Sequence, residues 1–349
     1  MNLAVRPACL SADREEMLGL LERNVSEFLM EAQFSWTHEG NPAGPGWSWL
    51  IYDRENGRIG AMTSLCPRPV YVDGRRLTCG QVGEFVVDRA YRSLGPAVML
   101  QRATFEPVDS GALAFCYDCP PHDQGMSTFV RLGMHPSCEL TRYAFLLNSN
   151  EVLEKRLGKR AWTRPLVSSA NLLLWAKRTT HHRVSGVEIG LLEGRFDDEF
   201  DHLDRVVPSA GIVRASRSSG YLNWRFRERP GAEVRVLIAR EGGELLAFLA
   251  FFVYGGRRAL ICDLFGRKLE EAGPALLSCA IEQCRRNDVA CLEGYCTQNS
   301  ALRALFESAG FRAREHAARI VAYARSGEFS GGILGSAAGW PVGQAELNA

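Results

Sequence analysis

No stretch of this 349-residue chain approaches the roughly 20 consecutive apolar residues a membrane-spanning helix needs, so no membrane span is expected. An excess of charge is also missing. Lys and Arg total 41 against 40 Asp and Glu, and a formal net charge of +1 points to neither nucleic acid nor an anionic surface as partner. GxSxG, HExxH, P-loop and GxGxxG patterns do not occur, which removes the usual hydrolase, metalloprotease and nucleotide-binding signatures. Cysteine is plentiful at 11, but Cys116-Tyr117-Asp118-Cys119 is the only CxxC and Cys279, Cys284, Cys291 and Cys296 have no histidine pattern beside them. No metal site is expected from such a set. The odd count without a signal-peptide pattern points to reduced thiols in a cytoplasmic protein.

What is present begins at Gly83-Glu84-Phe85-Val86-Val87, an apolar run with strand character. It leads through Arg92-Ser93-Leu94-Gly95-Pro96-Ala97 into Val98 to Ala103, which has helical spacing. A strand, a glycine-bearing loop and a helix N-terminus together make an anion site: glycine allows close approach, and the first-turn amides have no intrahelical partner. Arg92 adds a fixed positive charge. Pro96 removes one amide hydrogen, although proline suits the opening of a helix.

The length predicts two domains of roughly 150 residues. Leu3 to Arg6 reads as a strand and Ser11 as the cap of a helix through Leu21. Phe28 to Pro45, with Phe34, Trp36 and His38, carries no clear period. Trp47–Tyr52 and Arg58–Leu65 read as a hairpin, and a further strand pair turns at Asp73-Gly74. Strand Ala112–Tyr117, a helix ending Phe129-Val130-Arg131-Leu132-Gly133-Met134 and strand Arg142–Leu147 complete the first half.

A similar order follows after a basic stretch at 150–185. Val187–Leu192 and Asp197–Val206 read as strand and helix, Arg235–Arg240 and Leu245–Val253 as a hairpin, and Ala259–Phe265 as a strand. Pro274 opens a helix to Arg286, then come strand Cys291–Tyr295 and a helix running into Gly310-Phe311. Gly95 pairs with Gly273 and Gly133 with Gly310 at near-equal offsets, as a duplication would leave them.

The Arg92–Ala97 hexapeptide in this context resembles the Q/R-x-x-G-x-G/A signature of the GCN5-related N-acetyltransferase (GNAT) superfamily, and the Phe129–Met134 ending resembles that family's F-Y-x-x-L-G-F. The resemblance implies an α/β (α+β) chain of two tandem GNAT-like domains, each a mixed, mostly antiparallel sheet flanked by helices. The expected divisions are 1–149 (acyl-coenzyme A binding), 150–185 (connector), 186–326 (a second domain whose loop Glu270-Glu271-Ala272-Gly273-Pro274-Ala275 is degenerate) and 327–349 (a flexible tail). In that second loop a carboxylate stands at the arginine position and repels a pyrophosphate. The co-substrate implied is acetyl-coenzyme A or another acyl-coenzyme A, bound by Phe85, Val86, Val87, Arg92, Ser93, Leu94, Gly95, Pro96, Ala97 and Phe129.

The implied reaction is N-acylation of a small amine: an amino sugar, its nucleotide-linked form or an amino acid derivative. Glu84 corresponds to a general-base position of the family, and partial desolvation on a strand raises a carboxyl's pKa toward a useful range. The family's proton-donating tyrosine corresponds to Phe129 and Phe306, so Tyr117 and His122 are the alternative donors. Trp224 and Arg225, in Trp224-Arg225-Phe226 before Pro230, resemble a segment of bacterial tandem GNAT-like proteins and are the candidate substrate contacts. Two other functions are consistent with the same fold: an aminoacyl transferase resembling the Fem-type ligases, or a non-catalytic coenzyme A or metabolite sensor. A monomer or homodimer is expected.

Overall fold

The computed structural model describes residues 2–25, 30–120, 123–148, 186–325 and 332–343. The expected connector at 150–185 and His122 lie outside the described residues.

In the first half, β1 (Leu3–Pro7), α1 (Leu10–Asn24) and α2 (Met30–His38) precede a meander of β2 (Trp47–Asp53), β3 (Arg58–Val72) and β4 (Arg75–Val87). Then come α3 (Leu94–Ala103), α4 (Glu106–Asp109), β5 (Phe115–Asp118), α5 (Asp123–Arg131) and β6 (Cys138–Leu146). The second half runs β7 (Val187–Leu191), α6 (Asp198–Val206), β8 (Val213–Ala215), α7 (Ser219–Phe226), β9 (Val234–Glu241), β10 (Glu244–Tyr254) and β11 (Arg258–Gly266). It closes with α8 (Leu269–Arg286), β12 (Cys291–Thr297), α9 (Ala301–Ser308) and β13 (Arg312–Ala324).

Two local readings are corrected. The first helix begins at Leu10 with Cys9 at its cap, so Ser11 lies within it. Helix α8 begins at Leu269, which leaves Pro274 in its interior rather than at its start. The apolar pattern of the helix outweighs the one hydrogen bond that proline removes.

The described strands form one sheet in the order β1-β2-β3-β4-β5-β13-β6-β12-β11-β10-β9-β7, with β8 against the far end of β3. Only β4 with β5 and β11 with β12 pair in parallel. The strands are apolar on both sides because helices cover both faces. Trp49, Leu65, Val82, Leu100 and Phe129 fill one side of the first half, and Met17, Leu20, Phe34, Leu50 and Met62 the other. In the second half α8 and α9 cover one side of the sheet, and α6 and α7 the other.

Each half is expected from sequence to carry a sheet of its own, with Arg142–Leu147 closing the first. Instead the two final strands change places. β6 lies against β12 from Cys138-proximal Leu140 to Leu146, and β13 lies against β5 through Val321–Ala324. β6 and β13 also pair with each other, which joins the halves at the middle of the sheet. On β12, Glu293 is buried and bonded to Arg142 of β6, Arg258 of β11 and the Tyr254 hydroxyl of β10.

The tail is likewise not free over its described part. Trp340 is 1% exposed and packs against Phe115 and Tyr117 of the first half. Thr297 N donates to Val342 O at 3.0 Å and Thr297 Oγ1 to Trp340 O at 2.7 Å, so residues 340–343 run along the end of β12. A buried indole with its N–H bonded to Leu334 O explains the ordering of a glycine- and alanine-rich segment.

Candidate active site

Strands β4 and β5 pair at only two positions, Gly80 with Cys116 and Gln81 with Tyr117, although β4 continues to Val87. The two strands part there. On its other edge β4 carries a bulge: Met62 opposes Val86 and Ser64 opposes Gly83, so Thr63 faces both Glu84 and Phe85. Glu84 sits at φ 46°, the left-handed region that a side chain other than glycine enters at a cost of about 1–3 kcal/mol. A bulge of this kind re-aims the bulged side chain.

Glu84 opens into a cavity of about 110 Å³ between the halves, whose polar lining includes Gln33, Ser64, Arg68 and Gln81. Tyr221 and Trp224 of α7 form its other wall. Within the floor, Arg68 is buried, donates to Gln81 Oε1 at 3.2 Å and to the Tyr117 hydroxyl at 3.0 Å, and packs its guanidinium 5.0 Å from the Tyr221 ring centre. Nearby Cys66 has its thiol pushed up to about 12 by burial and by the Glu84 charge, so it is a neutral wall of the cavity and no nucleophile.

The wall is fixed by a contact between halves. Trp36 of α2 and Trp224 of α7 stack with centres 4.5 Å apart and planes at 14°. Each indole N–H donates to the other residue's carbonyl, at 2.8 and 2.9 Å. Trp224 therefore both packs and lines the cavity. Arg225 is buried one residue on and donates to the Tyr221 hydroxyl at 3.3 Å, which supports the wall from behind.

After β4 a single 3-10 turn over Arg89–Tyr91, capped by Asp88, brings the chain to α3. Ser93 holds the N-cap with extended backbone and makes no side-chain cap bond. Arg92, Ser93 and Gly95 are exposed, and a Cβ on Gly95 would meet nothing within 4 Å, so the main chain of this turn is open to a ligand. Pro96 is buried and has no N–H, which leaves the amides of Leu94 and Gly95 as the first-turn donors. The residues present fit a phosphate-bearing group: open amides at the positive helix end, with an exposed Arg92, its Nε donating to Val87 O, just before them.

The remaining predicted residues are not at that surface. Phe85 and Val87 pack into the core beneath α3, Val86 packs into the opposite core, and Phe129 is buried among Leu100, Ala103 and Met126. Their main chain can meet a ligand; their side chains hold the strand and α5. Tyr117 is buried against Trp340 and its hydroxyl accepts from Arg68, which lines the cavity. At the end of the same strand, burial raises the Asp118 carboxyl to about 7.

The second half opens in the same way. β11 and β12 pair only from Arg258/Cys291 to Leu260/Glu293 before parting, and the gap beyond holds a cavity of about 240 Å³. Here the chain's own Pro341 and Gly343 enter the lining, together with the buried Arg217–Asp263 pair.

His38, Arg68, Gln81 and Tyr221 had not been singled out from sequence as site residues. His38 belongs to the stretch without a readable period, and Arg68 and Gln81 look like ordinary strand polar residues.

Among solved structures, a conserved protein of Enterococcus faecalis V583 described as a probable N-acyltransferase superposes with TM-score 0.65 at 13% identity, over 92% of this chain and 72% of that one. A GCN5-related N-acetyltransferase from Anabaena variabilis ATCC 29413 gives 0.62 at 11%, over 92% and 72%. The fold is that of the GCN5-related N-acetyltransferases. Saccharomyces cerevisiae N-myristoyltransferase with bound myristoyl-coenzyme A also shares it, with TM-score 0.61 at 11% identity over 92% of this chain and 82% of that one. No family model and no curated protein matches the chain. Among the described residues no helix is long and apolar enough to cross a membrane, and no group of three or more His, Cys, Asp or Glu is arranged to hold a metal ion.

Proposed function

We propose that the protein is an acyl-coenzyme A-dependent N-acyltransferase. The first half binds the acyl donor, with acetyl-coenzyme A the first candidate, and the cavity between the halves takes a small amine: an amino sugar, its nucleotide-linked form or an amino acid derivative. The observation that carries this reading is the position of Glu84. It stands on the β4 bulge where β4 and β5 part, lines the cavity, and is followed by the open turn into α3.

Under this reading Arg92 and the Leu94 and Gly95 amides hold the pyrophosphate, and the unpaired β4 edge beyond Gln81 holds the pantetheine arm by its main chain. Glu84 takes a proton from the acceptor's ammonium. The freed nitrogen lone pair forms a bond to the thioester carbonyl carbon, the C–S bond breaks with its electron pair leaving on sulfur, and the second nitrogen proton is released as the amide forms. Sulfur takes up one proton. Phe129, buried and without a polar atom, cannot supply it; Tyr117, whose hydroxyl accepts from Arg68, is the first candidate donor. The same chemistry explains why the second half, with Glu270 and Glu271 in the first turn of α8, is not assigned the co-substrate.

Turnover with acetyl-coenzyme A and an amine panel, read as free thiol, tests the assignment. Glu84→Gln is expected to lower kcat about 10²- to 10⁴-fold with acetyl-coenzyme A binding unchanged, and Arg92→Glu to weaken that binding. Coenzyme A binding with no turnover on any amine would replace the transferase by a sensor. The missing tyrosine hydroxyl at Phe129 is the observation that favours that second reading.

A further inference from the structure

His38 is the last residue of α2 and 2% exposed, with its ring 4.2 Å from that of Phe34. Its Nε2 lies 2.6 Å from Glu84 Oε2. That is ion-pair distance, although the ring N–H is not aligned on the oxygen as a hydrogen bond: His38 Nε2, like both Glu84 oxygens, is buried without a hydrogen-bond partner among the described residues.

Among the described residues neither Glu84 oxygen meets an aligned hydrogen-bond donor, although both are buried. A buried carboxylate oxygen without a donor is costly, of order 1–3 kcal/mol. The bulge adds its own strain to hold the residue there. Two unfavourable features at one side chain, both facing a polar cavity, fit a group held in readiness for an ammonium ligand.

We propose that His38 is the positioning residue for Glu84. By pairing with Oε2 it fixes the carboxylate on the bulge and leaves Oε1 to meet the acceptor's ammonium. This rests on Glu84 being the base of the reading above. Misplacing a reacting group by about 1 Å costs on the order of 10²-fold in rate, which sets the scale for losing the imidazole.

The test compares wild type, His38→Ala, His38→Gln and Glu84→Gln in acetyl-coenzyme A turnover on the amine panel. His38→Ala should lower kcat about 10²-fold with the KM for acetyl-coenzyme A within about threefold. In His38→Gln the amide nitrogen can reach the Nε2 position, so at least about tenfold of the loss should return. Added imidazole should restore part of the His38→Ala rate. A merely structural histidine predicts neither recovery. Proton NMR of the free protein supplies a readout without substrate: a low-field exchangeable signal present in wild type and absent from both His38→Ala and Glu84→Gln. Turnover by His38→Ala within threefold of wild type at equal melting temperature overturns the proposal, as does absence of the low-field signal in wild type. A wild type that shows the signal but acylates no amine supports the pair and overturns the transferase reading instead.

Discussion

The stacked pair Trp36–Trp224 is the contact on which the cavity wall depends, and its energetics can be worked out from its geometry. Each ring is nearly fully buried. Truncating a buried tryptophan to alanine costs about 3–5 kcal/mol, which covers lost burial and the space left behind. Each truncation also removes one indole N–H, leaving a buried carbonyl of the other residue without its donor. The two hydrogen bonds are independent, because each ring reaches the other residue's main chain, which survives truncation. Only the ring stacking is lost in both single variants. Trp36→Ala and Trp224→Ala should therefore each cost about 3–5 kcal/mol, and the double variant should cost less than their sum by about 0.5–1.5 kcal/mol, the worth of one aromatic pair. Urea unfolding followed by far-ultraviolet circular dichroism measures all three without relying on tryptophan emission. Additivity within about 0.3 kcal/mol would refute the stacking argument, and a single cost below about 1 kcal/mol would refute the burial argument. Gly40 belongs to the same clasp. A Cβ there would stand 3.1 Å from Trp36 O and 3.4 Å from Trp224 Nε1, so Gly40→Ala should disturb the second hydrogen bond alone.

Three further outcomes follow from charges and packing. The Asp118 carboxyl, raised by burial to about 7, binds its proton more tightly in the folded state than the unfolded value of about 3.9. Its contribution to stability is present below that unfolded value and is lost as pH rises toward 7. Asp118→Asn should thus flatten the fall in unfolding free energy between pH 4 and about 7, and an unchanged slope in urea titrations would contradict the burial argument. Glu293 shows the opposite sign. Burial pushes its carboxyl up, but the bonds from Tyr254 and Arg258 and the charges of Arg258 and Arg142 outweigh this and hold it below the usual range. Its stabilisation is present at neutral pH and lost as pH falls through the acid range. Glu293→Gln should cost about 2–3 kcal/mol at pH 7, discounted from a fully buried pair because Arg258 is half exposed, with the deficit shrinking in acid. Trp340→Ala should cost about 3–5 kcal/mol if the tail is core; a melting temperature equal to wild type would return it to a loose extension.

The elements legible in the sequence are those set by local pattern. The apolar run Trp47–Tyr52, the Asp73-Gly74 turn and the apolar spacing of Leu276 to Ile281 each depend on residues within one turn or one hairpin, and the structure has them in place. The exchange of β6 and β13 depends on pairing across more than a hundred residues, and either strand would suit either neighbour by composition. The bulge at Glu84 was invisible for a related reason. A bulge usually announces itself by glycine in the left-handed position, and here that position holds the glutamate. His38 met Glu84 through the packing of α2, a helix whose sequence shows little amphipathic period because Trp36 and His38 face the other half and β4 rather than a single core.

The strand exchange bears directly on how the candidate site keeps its shape. Had each half closed its own sheet, the cavity between them would be bounded by two bodies joined by the chain at 150–185, and its width would vary with every relative motion. Instead β6 contributes Arg142 to the carboxylate of Glu293, β8 extends the pairing of β3 through Val70–Val72, and Trp340 packs against Phe115 and Tyr117 from the far end of the chain. These three connections tie the halves together at different places around the joint. A cavity of about 110 Å³ needs that rigidity, because a shift of 1 Å in its wall is a large fraction of its width. The parting of β4 from β5 stays open to a ligand, while the equivalent gap between β11 and β12 receives residues 341–343. Of the two gaps, the one beside Glu84 is left open and the other is filled by the chain's own Pro341 and Gly343.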